Sequence, residues 1–165
     1  MINKNINYLM IVCLAIISFN SCDVLDENPL TKPSTENFYQ NEIDAQAALT
    51  SAYARLKSGS GYYKGQFLST LHAASDQGLS SYLFKEFKRG LVTSTNKSIN
   101  NLWRELYLGI REANNVIANV PEIDMEEGLK NRIIGEAKFL RALNYFNLVR
   151  CFGEVPLRTE PVKAG

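Results

Sequence analysis

Covalent chemistry in this sequence begins with a cysteine. Three are present, Cys13 inside an apolar N-terminal stretch, Cys22 at the end of that stretch, and Cys151 alone far downstream. Lys4 and the amino terminus form a short positive region. The apolar run after it, residues 8–19 (YLMIVCLAIISF), is about two-thirds of what a membrane-spanning helix needs. It reads as a signal peptide over residues 1–21. The four residues Phe19, Asn20, Ser21 and Cys22 resemble a lipobox, in which a cysteine thiolate takes a diacylglyceryl group and a small preceding residue lets the peptidase close over the bond. Phe19 and Asn20 depart from the usual apolar and small residues there, so a plain secretory signal with a chance cysteine is the alternative. Two or three acyl chains, at about 0.8 kcal/mol per buried methylene, are enough for stable membrane anchoring.

Other chemistry has little to start from. No cysteine pair stands at C-x-x-C spacing, which leaves zinc and dithiol reactions without a ligand set, and Cys151 reads as an inert thiol. His72 is the single histidine and reads as a packed or surface residue, not a catalytic base. Glu126 and Glu127 stand where a helix N-terminus favours negative charge, which explains them without glycosidase chemistry. Neither a Gly-rich phosphate loop nor H-E-x-x-H is present, so no catalytic residue, metal or cofactor is expected. The net charge is +1; removing residues 1–21 takes away only Lys4 and leaves 17 basic against 17 acidic side chains. Nucleic acid is not an expected partner of so balanced a surface.

Binding by aromatic and polar side chains remains. Residues 77–97 show no clean period and read as a long loop, uncommon in a compact domain unless functional. This loop carries Tyr82, Phe84, Phe87 and Arg89 just behind Asp76, aromatic platforms beside a hydrogen-bond donor. Covering the helices beneath is the competing role for these rings. Trp103 and Tyr107 read as helix core.

The elements that must position these groups are helices. With 165 residues, 45% apolar and 21% charged, the chain is of ordinary globular composition and one domain is expected. Residues 22–35, with two prolines, read as the acylated cysteine and an extended tether. The domain then covers residues 36–165. Ala45, Ala48, Leu49, Ala52 and Leu56 predict a helix over 41–57, closed by Gly59 and Gly61. Phe67, Leu68, Leu71 and Ala74 predict a second, over 66–75. From Ser98, the spacing of Trp103, Leu106, Ile110, Ala113 and Ile117 predicts a third that Pro121 ends. Asp124 with Glu127 predicts a capping box for a fourth, which runs to about Cys151 and stops at Gly153 and Pro156. The second half of that helix is apolar on most sides and should be enclosed by neighbours. The fold class is therefore all-α, with tetratricopeptide-like hairpins that need stacked companions.

In five places, in order, the sequence resembles the SusD/RagB family. Residues 22–29 (CDVLDENP) follow C-x-x-x-L-D-x-x-P with one residue fewer before Leu25; Ala45, Ala48, Ala52 and Tyr53 follow its first helix loosely; Ser75 and Asp76 match a Ser-Asp pair. Residues 103–115 (WRELYLGIREANN) and 136–156 (EAKFLRALNYFNLVRCFGEVP) match two longer blocks. The resemblance implies the N-terminal part of a SusD-like α-helical fold, continuing well past the G-x-V-P block and so incomplete here at its C-terminus. It implies a lipid anchor at Cys22 in the outer membrane, displayed at the cell surface with Asp23, Asp26 and Glu27 as the acidic signal. It also implies a non-enzymatic role: capturing oligosaccharide or another nutrient for a SusC-like TonB-dependent transporter. A helical-repeat lipoprotein that serves only as a protein scaffold is the alternative.

Overall fold

The computed structural model describes residues 38–57, 63, 65–75 and 85–162. The chain divides into two units between Ser34 and Thr35, and the described residues all belong to the second. Among them the fold is all-α: α1 (Glu42–Leu56), α2 (Gln66–Ala74), α3 (Lys85–Lys88), α4 (Lys97–Asn119), a 3₁₀ turn (Val120–Glu122) and α5 (Glu127–Phe152).

Helix α1 starts where its sequence places a cap. The Asn41 side chain accepts from the Asp44 amide at 3.1 Å, and the Asp44 carboxylate accepts from the Gln40 amide at 3.0 Å. Ala45, Ala48, Leu49 and Ala52 are buried along one face, as their spacing predicts. Helix α2 lies where expected but presents another face: Phe67, Thr70 and Ala73 are buried, while Leu68, Leu71 and Ala74 are exposed. Phe67 seats among Leu102, Leu106 and Ile110 of α4, and that one anchor sets the rotation of a nine-residue helix. Gly59 and Gly61, the expected stop of α1, lie outside the described residues.

The segment expected to be an irregular loop contains α3. Its close is a Schellman motif, the Leu91 amide bonding to the Glu86 carbonyl and the Gly90 amide to that of Phe87. Gly90 sits at φ +65, a conformation that glycine reaches without strain. Asn96 then caps α4, accepting from the Ser98 and Ile99 amides, while its own amide donates to Glu86 at 2.6 Å. Helix α4 thus begins one residue before Ser98.

Helices α4 and α5 form the central antiparallel hairpin. The pairing is read from its packing: Val116 and Val120 share one cluster with Ile133 and Leu140, and Leu102 and Leu106 share another with Leu148. Midway, a β-carbon at Gly109 would stand 2.7 Å from the Asn144 amide oxygen, so the buried Asn144 side chain of α5 occupies the space that a larger residue at 109 would need. The cap of α5 is Glu126, not Asp124: the Glu126 carboxylate accepts from the Gly128 and Leu129 amides at 2.7 and 2.6 Å. These bonds hold its carboxyl below the usual range. Glu127 is the first helical residue, so the expected capping box does not form. The longer Glu126 side chain folds over the helix end from two residues nearer. Along α5, Ile133, Ala137, Leu140 and Leu148 are buried, whereas Phe139, Phe146 and Val149 are 55–63% exposed.

Candidate functional site

After Gly153 the chain turns back and residues 154–162 run extended along the hairpin, a strap without helix or strand. Side chains hold it by its backbone. Tyr107 donates its hydroxyl to the Pro156 carbonyl at 2.8 Å. Tyr145 donates to the Arg158 carbonyl at 2.9 Å and accepts from the Arg158 amide. Asn114, 2% exposed, donates to the carbonyls of Arg158 and Glu160 at 3.1 and 3.3 Å. Arg141 completes the tie with bonds to the Asn114 oxygen and the Thr159 carbonyl. Helices supply fixed donors here, so the strap needs no pairing strand.

Between the strap and α4 lies a cleft of about 340 Å³. Its size is at the lower end of small-molecule sites, roughly 300–1,000 Å³. Trp103, Tyr107 and Leu108 form the helix wall, and Pro156 and Val162 the strap wall. The aromatic rings are fixed from behind. Trp103 packs against Phe152 in a T-shaped pair at 5.0 Å and Tyr107 against Tyr145 in another at 6.5 Å, and both rings also line the cleft. Burial, and then Tyr145, raise the Tyr107 hydroxyl above its ordinary pKa despite Arg158, so it stays protonated as the donor to Pro156.

Charge is placed on the rim. Arg104 and Arg111 line the cleft from α4, and Arg158 and Glu160 from the strap. The Arg158 guanidinium lies 5.9 Å from the centre of the Tyr107 ring. Arg111 pairs with Glu112 at 2.8 Å, and the same carboxylate also serves Arg55 at 3.4 Å. Arg104 pairs with the buried Glu105 at 3.3 Å. Glu112 and burial act together on Tyr39, whose hydroxyl is pushed up to about 12, burial being the larger cause.

Among the residues proposed from sequence, Cys22, Asp76, Tyr82 and Phe84 lie outside the described residues. Phe87 is 9% exposed and offers no open ring for a ligand to stack on; Arg89 is exposed. Trp103 and Tyr107, read as core, are half-buried and do both jobs. His72 is exposed. The Cys151 thiol is free, and burial raises its pKa, which keeps it protonated and unreactive. The sequence did contain a signal for this cleft: Arg104, Tyr107, Leu108, Arg111 and Asn114 recur at offsets 0, 3, 4, 7 and 10, a second stripe beside the core face of α4.

Comparisons with known proteins agree with this architecture. A family described as starch-binding, associating with the outer membrane (SusD-like), matches residues 23–164. Two proteins of Formosa agariphila are similar: SusD-like protein P25 is 31% identical over 94% of this chain and 32% of its own length, and SusD-like protein P2 is 29% identical over 90% and 30%. A solved laminarin-binding SusD-like protein is 33% identical with a TM-score of 0.65, covering 76% of this chain and 28% of its own. The chain spans about a third of the length of the curated relatives it matches.

Proposed function

Because the chain belongs to the SusD-like family, we propose that it is the N-terminal helical part of a non-catalytic glycan-binding lipoprotein, and that the cleft between α4 and the strap contributes to its ligand face. In this reading Cys22 carries the lipid anchor in the outer membrane and the protein stands at the cell surface. There it captures oligosaccharide or another nutrient and passes it to a SusC-like TonB-dependent transporter. The observation that carries the reading is the pair of rings, Trp103 and Tyr107, half-buried side by side in the wall of a cleft rimmed by polar groups. Sugar rings have one apolar face and a girdle of hydroxyls, which suits such a surface. The segment with Tyr82 and Arg89 is kept as a second contributor.

Trp103 is the single tryptophan of the sequence, so the cleft carries its own reporter. Titrating the protein with laminarin oligosaccharides and a panel of other glycans should shift tryptophan emission saturably. Absence of any response across the panel would remove the cleft from the ligand face. The scaffold reading draws on the exposed stripe of Phe139, Phe146 and Val149 on α5, a surface suited to protein contact. It predicts stoichiometric capture of a protein partner and no glycan response. Separately, Cys22→Ala should release the protein from membranes and abolish palmitate labelling; unchanged labelling would exclude the anchor.

A further inference from the structure

The hydrogen-bonding character of the cleft is lopsided, and that asymmetry speaks to the kind of sugar it would hold. Three guanidiniums reach its rim, from Arg104, Arg111 and Arg158, against one carboxylate, Glu160. The remaining polar groups are already committed. The Asn114 amide donates to two strap carbonyls and its oxygen accepts from Arg141, and the Tyr107 hydroxyl proton is given to Pro156. A neutral sugar presents hydroxyls that both donate and accept, and such a ligand is served best by a mixture of carboxylates, amides and cations. Here donors greatly outnumber acceptors, so the complement is a ligand rich in acceptor oxygens.

The ion pairs on the helix side do not cancel this excess. Glu112 is shared between Arg55 and Arg111, one carboxylate for two guanidiniums. Arg104 bonds to its sequence neighbour Glu105 through one nitrogen, while its side chain is 60% exposed, leaving most of the planar fork toward solvent. Arg104 and Arg111 are the open partners of these pairs, 60% and 44% exposed, and each is bonded through one nitrogen, so the other donors of the fork remain for an incoming acceptor. Arg158 is the best placed of the three. The hydrogen bonds that tie its residue to Asn114 and Tyr145 run through its backbone, and its guanidinium rests over Tyr107 at the cleft.

We infer that the cleft takes an anionic sugar unit, one bearing a uronate carboxylate or a sulfate ester, with its ring against Trp103 and Tyr107 and its charged group among Arg104, Arg111 and Arg158. A guanidinium fork matches the paired oxygens of either group. The inference rests on the cleft being a glycan site and names the class of glycan. Uronate and sulfate share the recognised chemistry; only binding distinguishes them.

The test uses the intact protein and calorimetric titration with three probes of equal length: a neutral laminarin oligosaccharide, a uronate oligosaccharide and a sulfated galactan oligosaccharide. At least one acidic probe should bind about tenfold or more tighter than the neutral one, the scale of one charge-assisted bond. Its affinity should fall between about 50 and 500 mM salt. Arg158→Gln should weaken the acidic probe by about tenfold and the neutral one by clearly less, with little change in melting temperature because the bonds to the strap backbone remain. Glu160→Gln should act in the opposite direction and tighten the acidic probe, an effect that a purely structural role for the strap would not produce. Equal affinity for neutral and acidic probes, untouched by either substitution, overturns the inference and leaves glycan binding standing. Failure of all three to bind overturns both.

Discussion

The α4–α5 hairpin is held differently on the two sides of Gly109. Toward the 3₁₀ turn, α1 closes over it, and ten buried apolar residues, among them Ile133, Leu140, Val116 and Val120, form one continuous core. Toward the other end the corresponding cluster has five, and aromatic rings that are only half-buried surround it. There the strap is fastened by Tyr107, Asn114, Arg141 and Tyr145 through directed bonds to its backbone. Apolar burial is strong but indifferent to direction. Hydrogen bonds contribute less net free energy each but fix position, and the end that depends on them is the end with a shaped cleft.

This contrast breaks most visibly in the core. Leu140→Ala, at a side chain 1% exposed between α1 and α5, should cost roughly 2–5 kcal/mol in a denaturant melt. A loss much smaller would mean that the sealed half does not carry the stability assigned to it. Next, Gly109→Ala should cost about 1–3 kcal/mol by driving a methyl into Asn144. Both halves should feel it, because Asn144 is buried between the two clusters of the hairpin. Asn114→Ala separates the halves more finely. It removes the amide's bonds to the Arg158 and Glu160 carbonyls and the acceptor of Arg141, leaving Tyr145 on the Arg158 carbonyl and Arg141 on Thr159, at roughly 1–3 kcal/mol. Its distinctive readout is faster proteolysis within residues 154–162 while the amides of α1 keep their exchange protection.

The smallest effect is pH-dependent and belongs to the turn that begins α5. The amides of Gly128 and Leu129 hold the Glu126 carboxyl below its usual pKa, so the cap is fully present above the ordinary carboxylate range. It is lost as pH falls through the depressed value. Hydrogen exchange at those two amides should quicken at low pH, and Glu126→Gln should abolish that dependence. The same acid response in the Gln variant would assign it to another group.

Regular spacing made the helices legible. The recurrence of Ala45, Ala48, Leu49 and Ala52 gave the buried face of α1, and the three-four spacing from Leu106 to Ala113 gave the inner face of α4. Asp124 misled because it fits a familiar capping pattern while Glu126, with a longer side chain, reaches the same amides. The buried face of α2 was misjudged because one seated ring, Phe67, outweighs the pattern of Leu68 and Leu71 in a helix so short. Half of the cleft could have been found in advance, since its α4 wall is a periodic stripe. The strap wall could not: carbonyls hold it, and carbonyls are the same in every residue.

A segment gripped chiefly by its peptide groups keeps its path when its side chains are exchanged, and this bears on how such a protein diversifies. Arg158 and Glu160 are like interchangeable letters on a fixed line, with Tyr107, Asn114, Arg141 and Tyr145 as the frame that keeps the line straight. On the proposed reading, substitution of Arg158 or Glu160 revises what the cleft prefers while the bonds to the strap backbone stay in place.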